Sequence, residues 1–229
     1  MTVNFPKNSE DAEALTKSMA VIAASEPQSF YRNFGKRILD SALILATAPF
    51  VAPLILIFAL LVALDGGRPF FRQRRVGLNG KTFEMWKLRT MVPDAEAQLE
   101  RHLASDPEAR CEWEVSQKLK SDPRITRVGR LLRKTSMDEL PQFLNVLKGE
   151  MAIVGPRPML SSQQDLYPGS AYYKLRPGIT GPWQVSNRND SEFKSRAIYD
   201  TRYDQEVSLR TDLSIMFKTV SVVFRGTGY

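Results

Sequence analysis

One cysteine, Cys111, and one histidine, His102, stand in a chain of 229 residues. No intramolecular disulfide can form, and the lone thiol fits a reducing compartment. A zinc centre of Cys and His ligands is excluded on the same count, so any metal here needs oxygen ligands. Also missing are internal repeats, low-complexity tracts and any linker that would separate the chain into domains. At 43% apolar residues the chain can build one domain with a real core. The start does not read as a secretory signal, because Glu10, Asp11 and Glu13 stand where basic residues belong and the stretch Ala20 to Ala24 is too short. The N-terminus is therefore expected to stay in the cytosol.

What is present in excess is positive charge, a net +7 with a pI near 9.6. Residues 1–28 carry two basic and four acidic side chains and few large apolar groups, so they read as a loose tail. The attraction for anions lies in the rest of the chain. Nucleic acid, a membrane surface and a phosphorylated substrate all answer to it. No established nucleic-acid motif accompanies the charge, so nucleic acid ranks lowest.

Between Ser41 and Leu64 no charged residue occurs. As a helix, that run of 24 residues measures roughly 36 Å, enough to cross a bilayer. A spanning helix keeps its basic residues mainly on one side, yet Arg32, Lys36 and Arg37 precede the run and Arg68, Arg72, Arg74 and Arg75 follow it. Pro49 and Pro53 lie in its middle and favour a break or sharp kink. A re-entrant helix over 29–67, dipping in and returning, accounts for both features. A single spanning helix is the alternative, and a buried core helix ranks third.

Residues 68–229 read as one cytosolic domain. Phe70 to Val76 and Thr82 to Met91, joined through Asn79-Gly80, predict a β-hairpin. Residues 94–120 predict a polar helix ended by Asp122-Pro123. Leu209, Leu213, Phe217, Val220 and Phe224 recur at helical spacing from Val207 to Phe224, an amphipathic helix whose apolar face meets either the core or the lipid interface, with core the expectation. The fold class is α+β, mostly helical: a small domain with a β-hairpin on a re-entrant membrane helix and amphipathic interfacial helices.

The densest chemistry lies in 122–142, where Arg124, Arg127, Arg130, Arg133 and Lys134 precede Asp138-Glu139. Ser136 and Glu139 match a capping box, whereas Pro141 favours Asp138 itself as the cap. Either way both acids stand at a helix start, where free backbone N–H groups attract phosphate and keep a carboxylate ionised. Two loops punctuated by Pro and Gly carry further arginines. In Val154-Gly-Pro-Arg157-Pro158, prolines on both sides of Arg157 restrict where its guanidinium points, and Arg176 and Arg188 flank the turn-rich segment Arg-Pro-Gly-Ile-Thr-Gly-Pro-Trp-Gln-Val.

These segments, with Lys36-Arg37 and Asp40, Gln73-Arg-Arg-Val-Gly77, Lys87-Leu-Arg-Thr-Met91 and Ser-x-Asp-Glu-Leu-Pro-Gln, resemble the bacterial sugar transferase family of monotopic phosphoglycosyl transferases from Lys36 to the C-terminus. The resemblance implies a re-entrant helix broken at a Ser-Pro pair, an Asp-Glu dyad, magnesium and a covalent phosphosugar intermediate. Carried over by position, Asp138 is the nucleophile, Glu139 a magnesium ligand, and Arg133, Arg157 and Arg188 hold phosphate or nucleotide. Asp200 and Asp212 match family acids without an assigned role. Two departures stand out: Ala52-Pro53 replaces Ser-Pro, and Asn187 stands where Gly is common.

The implied activity moves a hexose 1-phosphate from a UDP-sugar to undecaprenyl phosphate, releasing UMP, at the cytoplasmic face of the bacterial inner membrane, as the first membrane step of exopolysaccharide synthesis. The C-terminal half looks closest to the exopolysaccharide-initiating branch, where galactose or glucose phosphate is usual. Two rivals are a membrane-associated glycosyltransferase that releases UDP and a non-catalytic nucleotide-sugar-binding scaffold. Nothing in the sequence excludes a homo-oligomer.

Overall fold

The computed structural model describes residues 30–116, 119, 121–186 and 193–224. The tail at 1–28 lies outside them. The chain enters through a π-helical turn, Tyr31–Gly35, that runs directly into α1, Lys36–Leu64. Together they form 34 residues long and apolar enough to cross a membrane.

The helix is continuous through Pro49 and Pro53, so of the break or sharp kink expected there no break occurs. A proline removes one donor and crowds one carbonyl, and with the two prolines spaced four apart those losses fall on one side while the remaining ladder carries the helix through. Thr47 Oγ1 donates to the Leu43 carbonyl at 2.8 Å just ahead of the first proline.

Strands β1, Phe70–Val76, and β2, Thr82–Leu88, form the expected antiparallel hairpin, in register from Phe70 opposite Leu88 to Val76 opposite Thr82. Asn79 at φ 57° and Gly80 at φ 74° make its turn, backbone values that suit Asn and Gly and little else. Phe83, Met85 and Leu88 of β2 are buried. The polar stretch is two helices, α2, Ala95–Ser105, and α3, Pro107–Ser116. Pro107 starts the second, with Asp106 Oδ1 accepting from the Glu108 and Ala109 amides at 3.0 Å.

Helix α4, Arg127–Thr135, is capped by Thr126, whose Oγ1 accepts from Gly129 N at 2.9 Å. Gly129 lets α4 press on the 90 loop: a Cβ there would stand 2.1 Å from the Thr90 carbonyl. Ser136, at φ 57°, closes α4 in a left-handed turn. A 3₁₀ turn, Met137–Gln142, follows and passes into α5, Phe143–Lys148. Two short parallel strands, β3, Ala152–Val154, and β4, Gly178–Thr180, come next, then α6, Arg196–Glu206, and α7, Leu209–Phe224.

Both ends of α1 pack on this one domain. Near its start Asp40 and Ile44 are buried, Ile44 in a cluster with Phe83, Met85, Val146 and Met151. Near its end Ala59 and Val62 join Leu88 and Leu132. Between them Leu45, Phe50, Leu56 and Ile57 are exposed. The apolar stripe of α7 faces outward too: Leu209, Leu213, Phe217 and Val220 are exposed while Asp212 and Ile215 are buried, so the expectation that this stripe meets the core is corrected. Periodicity identifies a face, and here the buried face is held by a buried acid instead.

Candidate active site

Asp138 and Glu139 lie on the 3₁₀ turn between α4 and α5, so neither expected capping pattern forms. Ser136 closes the preceding helix and makes no side-chain cap to the turn. Lys87 reaches the pair from β2: its Nζ donates to Glu139 Oε1 at 2.6 Å and stands 3.6 Å from Asp138 Oδ2. From the other side α4 brings Arg133, whose Nε donates to Thr90 Oγ1 at 2.8 Å and whose charge acts on Asp138.

Asp138 is only 8% exposed. Burial pushes its carboxyl above the usual range; Lys87 pulls it down, Glu139 pushes it up, and Arg133 pulls it down. The carboxylate is thus costly to keep ionised without neighbouring cations, and two are supplied.

A small cleft open to solvent is lined by Glu139 and Lys87 together with Gln142, Arg75, Arg157 and Gln184. Met85, Pro158, Gly178 and Ile179 complete its walls. Asp138 stands behind Lys87 and Glu139 and is not itself a wall residue. Three close backbone approaches build the far side. A Cβ on Gly155 would lie 2.3 Å from the Arg176 carbonyl, one on Gly178 2.1 Å from Gly155 N, and one on Gly181 2.0 Å from the Gly155 carbonyl. Glycine at these places lets the Arg157 loop and the 178–184 loop meet as one wall.

Arg75 donates to the Pro158 carbonyl at 3.2 Å and to Gln73 Oε1 at 2.6 Å, while its Nε is buried with no partner among the described residues. Burial pushes the Arg75 guanidinium down to about 10, and the charge of Arg157 adds to that. Arg196 stacks on Trp183 and Phe193 with its guanidinium 4.2 Å and 4.6 Å from the ring centres. It too is lowered to about 10, first by burial and then by Arg157, and its Nε lacks a partner among the described residues. Crowded arginines with unpartnered N–H groups are chemically an anion site.

The expected site residues divide. Asp138, Glu139, Arg133 and Arg157 come together around the dyad and cleft. Arg176 points elsewhere: its Nε donates to the Gly149 carbonyl at 3.0 Å, in the field of Arg37 and Asp40. Asp200 is buried, accepts from Tyr167 Oη at 2.9 Å and is partnered electrostatically by Arg196; burial pushes it up to about 7. Asp212 accepts from Tyr31 Oη at 2.8 Å, Tyr203 Oη at 2.5 Å and Lys36 Nζ at 2.5 Å, which ties α7 to the root of α1. Arg188 lies outside the described residues.

The family's sequence model, described as bacterial sugar transferase, matches residues 31–226. The chain belongs to the bacterial sugar transferase family. It is 44% identical over 198 residues to the UDP-galactose-lipid carrier transferase of Erwinia amylovora, covering 86% of this chain and 42% of that protein. To the undecaprenyl-phosphate galactose phosphotransferase of Salmonella typhimurium it is 45% identical over 198 residues, with the same two shares. To the exopolysaccharide production protein ExoY of Sinorhizobium fredii it is 44% identical over 199 residues, 86% of this chain and 88% of that one. The chain thus spans about two fifths of the length of the first two relatives and most of the third.

Three residues of this sugar transferase went unassigned in the sequence. Lys87 and Arg75 sit in segments that carry the resemblance, and only the fold sets them against the dyad and Arg157. Arg196 carried no signal. As for a metal, no group of three or more His, Cys, Asp or Glu side chains gathers among the described residues. The donors at the dyad are the Glu139 carboxylate on the cationic cleft and the buried Asp138 carboxylate beside it, a set that suits magnesium shared with substrate phosphate oxygens rather than an all-protein cage.

Proposed function

We propose that this bacterial sugar transferase is a phosphoglycosyl transferase. It moves a hexose 1-phosphate from a UDP-sugar to undecaprenyl phosphate through a covalent intermediate on Asp138. The observation that carries this is a buried carboxylate held beside Lys87 and Glu139 at the head of a cleft lined by Arg75 and Arg157. That geometry is what phosphoryl transfer to a carboxylate needs: a nucleophile kept ionised by cations, and N–H groups for the phosphate charge.

In the first step an Asp138 oxygen forms a bond to the sugar-bearing phosphorus as the bond from that phosphorus to the bridging oxygen breaks. UMP departs with that oxygen. In the second step an oxygen of the lipid phosphate attacks the same phosphorus, the Asp138–phosphorus bond breaks, and the lipid-diphosphate sugar leaves with Asp138 restored. Arg133 and Lys87 balance Asp138 in its ionised state, and Arg75 and Arg157 hold the diphosphate. Magnesium bound by Glu139 and the phosphate oxygens would supply charge neutralisation there.

The packing of α1 supports a re-entrant foot at the cytoplasmic face of the inner membrane. Ile44 and Val62 stand roughly 27 Å apart on a straight helix at about 1.5 Å per residue. Their clusters hold Met85 and Leu88, roughly 10 Å apart on one strand. A bend near the prolines, within the continuous helix, would reconcile the two lengths and leave the exposed apolar middle to the lipid. The acceptor phosphate is then met at headgroup level.

The test is to incubate enzyme, reconstituted in vesicles free of polyprenyl phosphate, with UDP-galactose or UDP-glucose radiolabelled in the sugar. Label is expected on the denatured protein with stoichiometric UMP, and none with Asp138→Asn. Release of UDP, or turnover without protein-bound label, removes the proposal.

A further inference from the structure

Among the polar side chains lining the cleft, Gln184 differs from its neighbours, which are mainly cations. It is only 7% exposed. Its Nε2 donates to the Ile179 carbonyl at 2.8 Å, which fixes the amide's orientation and turns Oε1 the other way. Oε1 is buried and has no hydrogen-bond partner among the described residues. The backbone around it is fixed, with Val185 N donating to the Gly181 carbonyl and Ser186 N to the Trp183 carbonyl, both at 3.2 Å. A Cβ on Gly181 would stand 3.0 Å from Oε1, so any side chain at 181 would press on this oxygen.

An orphaned buried acceptor is a standing cost unless a donor arrives. Phosphate cannot supply that donor, because its oxygens only accept once ionised, and on the reading above Arg75 and Arg157 are their partners. The donor must be a hydroxyl or imide N–H elsewhere on the substrate. Gln184 shares one small cleft with Glu139 and Lys87. The group bonded directly to the reacting phosphorus is the hexose, whereas uracil lies a further phosphate and a ribose away.

Resting on the reading above, we infer that Gln184 Oε1 accepts a hydrogen bond from a hydroxyl of the transferred hexose and is a specificity-determining residue of the first step. A site that presents a buried acceptor rejects a sugar lacking the matching hydroxyl, because the oxygen is then left unpaired.

The test measures second-order rate constants of single-turnover self-labelling for wild type, Gln184→Met and Gln184→Glu. The substrates are UDP-galactose, UDP-glucose and their 2-, 3-, 4- and 6-deoxy forms. Wild type is expected to lose roughly 10- to 100-fold with one particular deoxy sugar. Gln184→Met should lose about the same with the parent sugar and be indifferent to that one deletion. Gln184→Glu, which keeps an acceptor oxygen, should retain the discrimination. Thermal melting of the variants checks folding, and Gln184→Ala takes the place of the Met variant in the same comparison if that one unfolds.

Equal losses for every deoxy sugar in wild type and both variants overturn the assignment. So does weakened UMP binding in Gln184→Met without coupling to any hydroxyl, which would place the donor on the base. Normal self-labelling with no such coupling sinks Gln184 alone. Absence of self-labelling with either sugar defeats the phosphoglycosyl transferase reading, and this inference with it.

Discussion

Asp138 and Asp212 are both buried acids with a lysine at hand, and they are built to opposite ends. Asp212 is 1% exposed and accepts from two tyrosine hydroxyls and Lys36, so its oxygens are occupied from several directions. Asp138 has its own backbone N–H and Lys87 at 3.6 Å, with Arg133 further contributing charge, and it stands beside an open cleft. A saturated acid is a strut. An undersupplied one, next to space for a phosphate, is available to react, and the protein tolerates the cost of leaving it so.

Substitution at the two acids should separate these roles most sharply. Asp138→Asn is expected to lower transfer by at least about 10³-fold, since the amide keeps the shape and loses the nucleophile. Its melting temperature should hold or rise, because a carboxylate that burial disfavours has become neutral. A fall in melting temperature as large as that of Asp212→Asn would erase the distinction.

Asp212→Asn breaks a buried ion pair and leaves Lys36 without its carboxylate, at a cost of about 3 kcal/mol or more. Denaturant or thermal unfolding in detergent would read it. Any activity left per folded molecule should be near that of the parent.

Asp200 offers a pH test of the same contrast. Its folded pKa is raised from 3.8 to about 7, so the folded state holds the proton more tightly than the unfolded one. The stability this confers is fully present below pH 4 and is lost as pH rises through about 7. Relative to Asp200→Asn, the parent should therefore become steadily less stable between pH 4 and 7 and level off above. The difference amounts to at most roughly 4 kcal/mol at about 1.4 kcal/mol per pKa unit. A parent whose stability rises relative to the variant over that window would show that Arg196 dominates burial at this acid.

The smallest effect concerns the scaffold behind the open acid. Thr126→Ala removes the cap of the helix that carries Arg133 and should cost about 1 kcal/mol, with a modest loss of activity. Thr126→Ser, which restores the oxygen, should recover both. Failure of that rescue would mean the methyl group, not the cap, holds α4 in place.

Several of the residues named in the chain are brought together by the fold. Asp138-Glu139 and Arg157 stand out by residue type and spacing, Arg133 is singled out from its neighbouring cations only by the family resemblance, and the hairpin follows from alternation and Asn79-Gly80. Lys87 was not assigned, because its partner Glu139 is 52 residues away and nothing local tells a strand lysine that meets a dyad from one that meets water. Arg176 was expected near phosphate, yet the Gly149 carbonyl holds it instead. The stripe on α7 was legible as a stripe, but its outward direction was not, since direction depends on where Asp212 finds Tyr31, 181 residues earlier.

The sequence by itself determined what short-range physics controls: one apolar run long enough for a membrane, the turns, the helix periods, and an acid pair among cations. Backbone preference and side-chain period act over a few residues, so they are written locally. Tertiary packing decided which acid is saturated and which stands beside a cleft, which arginines crowd together with unpartnered N–H groups, and that Gln184, on the cleft wall, keeps a buried unpartnered oxygen. Desolvation and pairing are set by groups that arrive from distant segments, and only the folded chain brings them together.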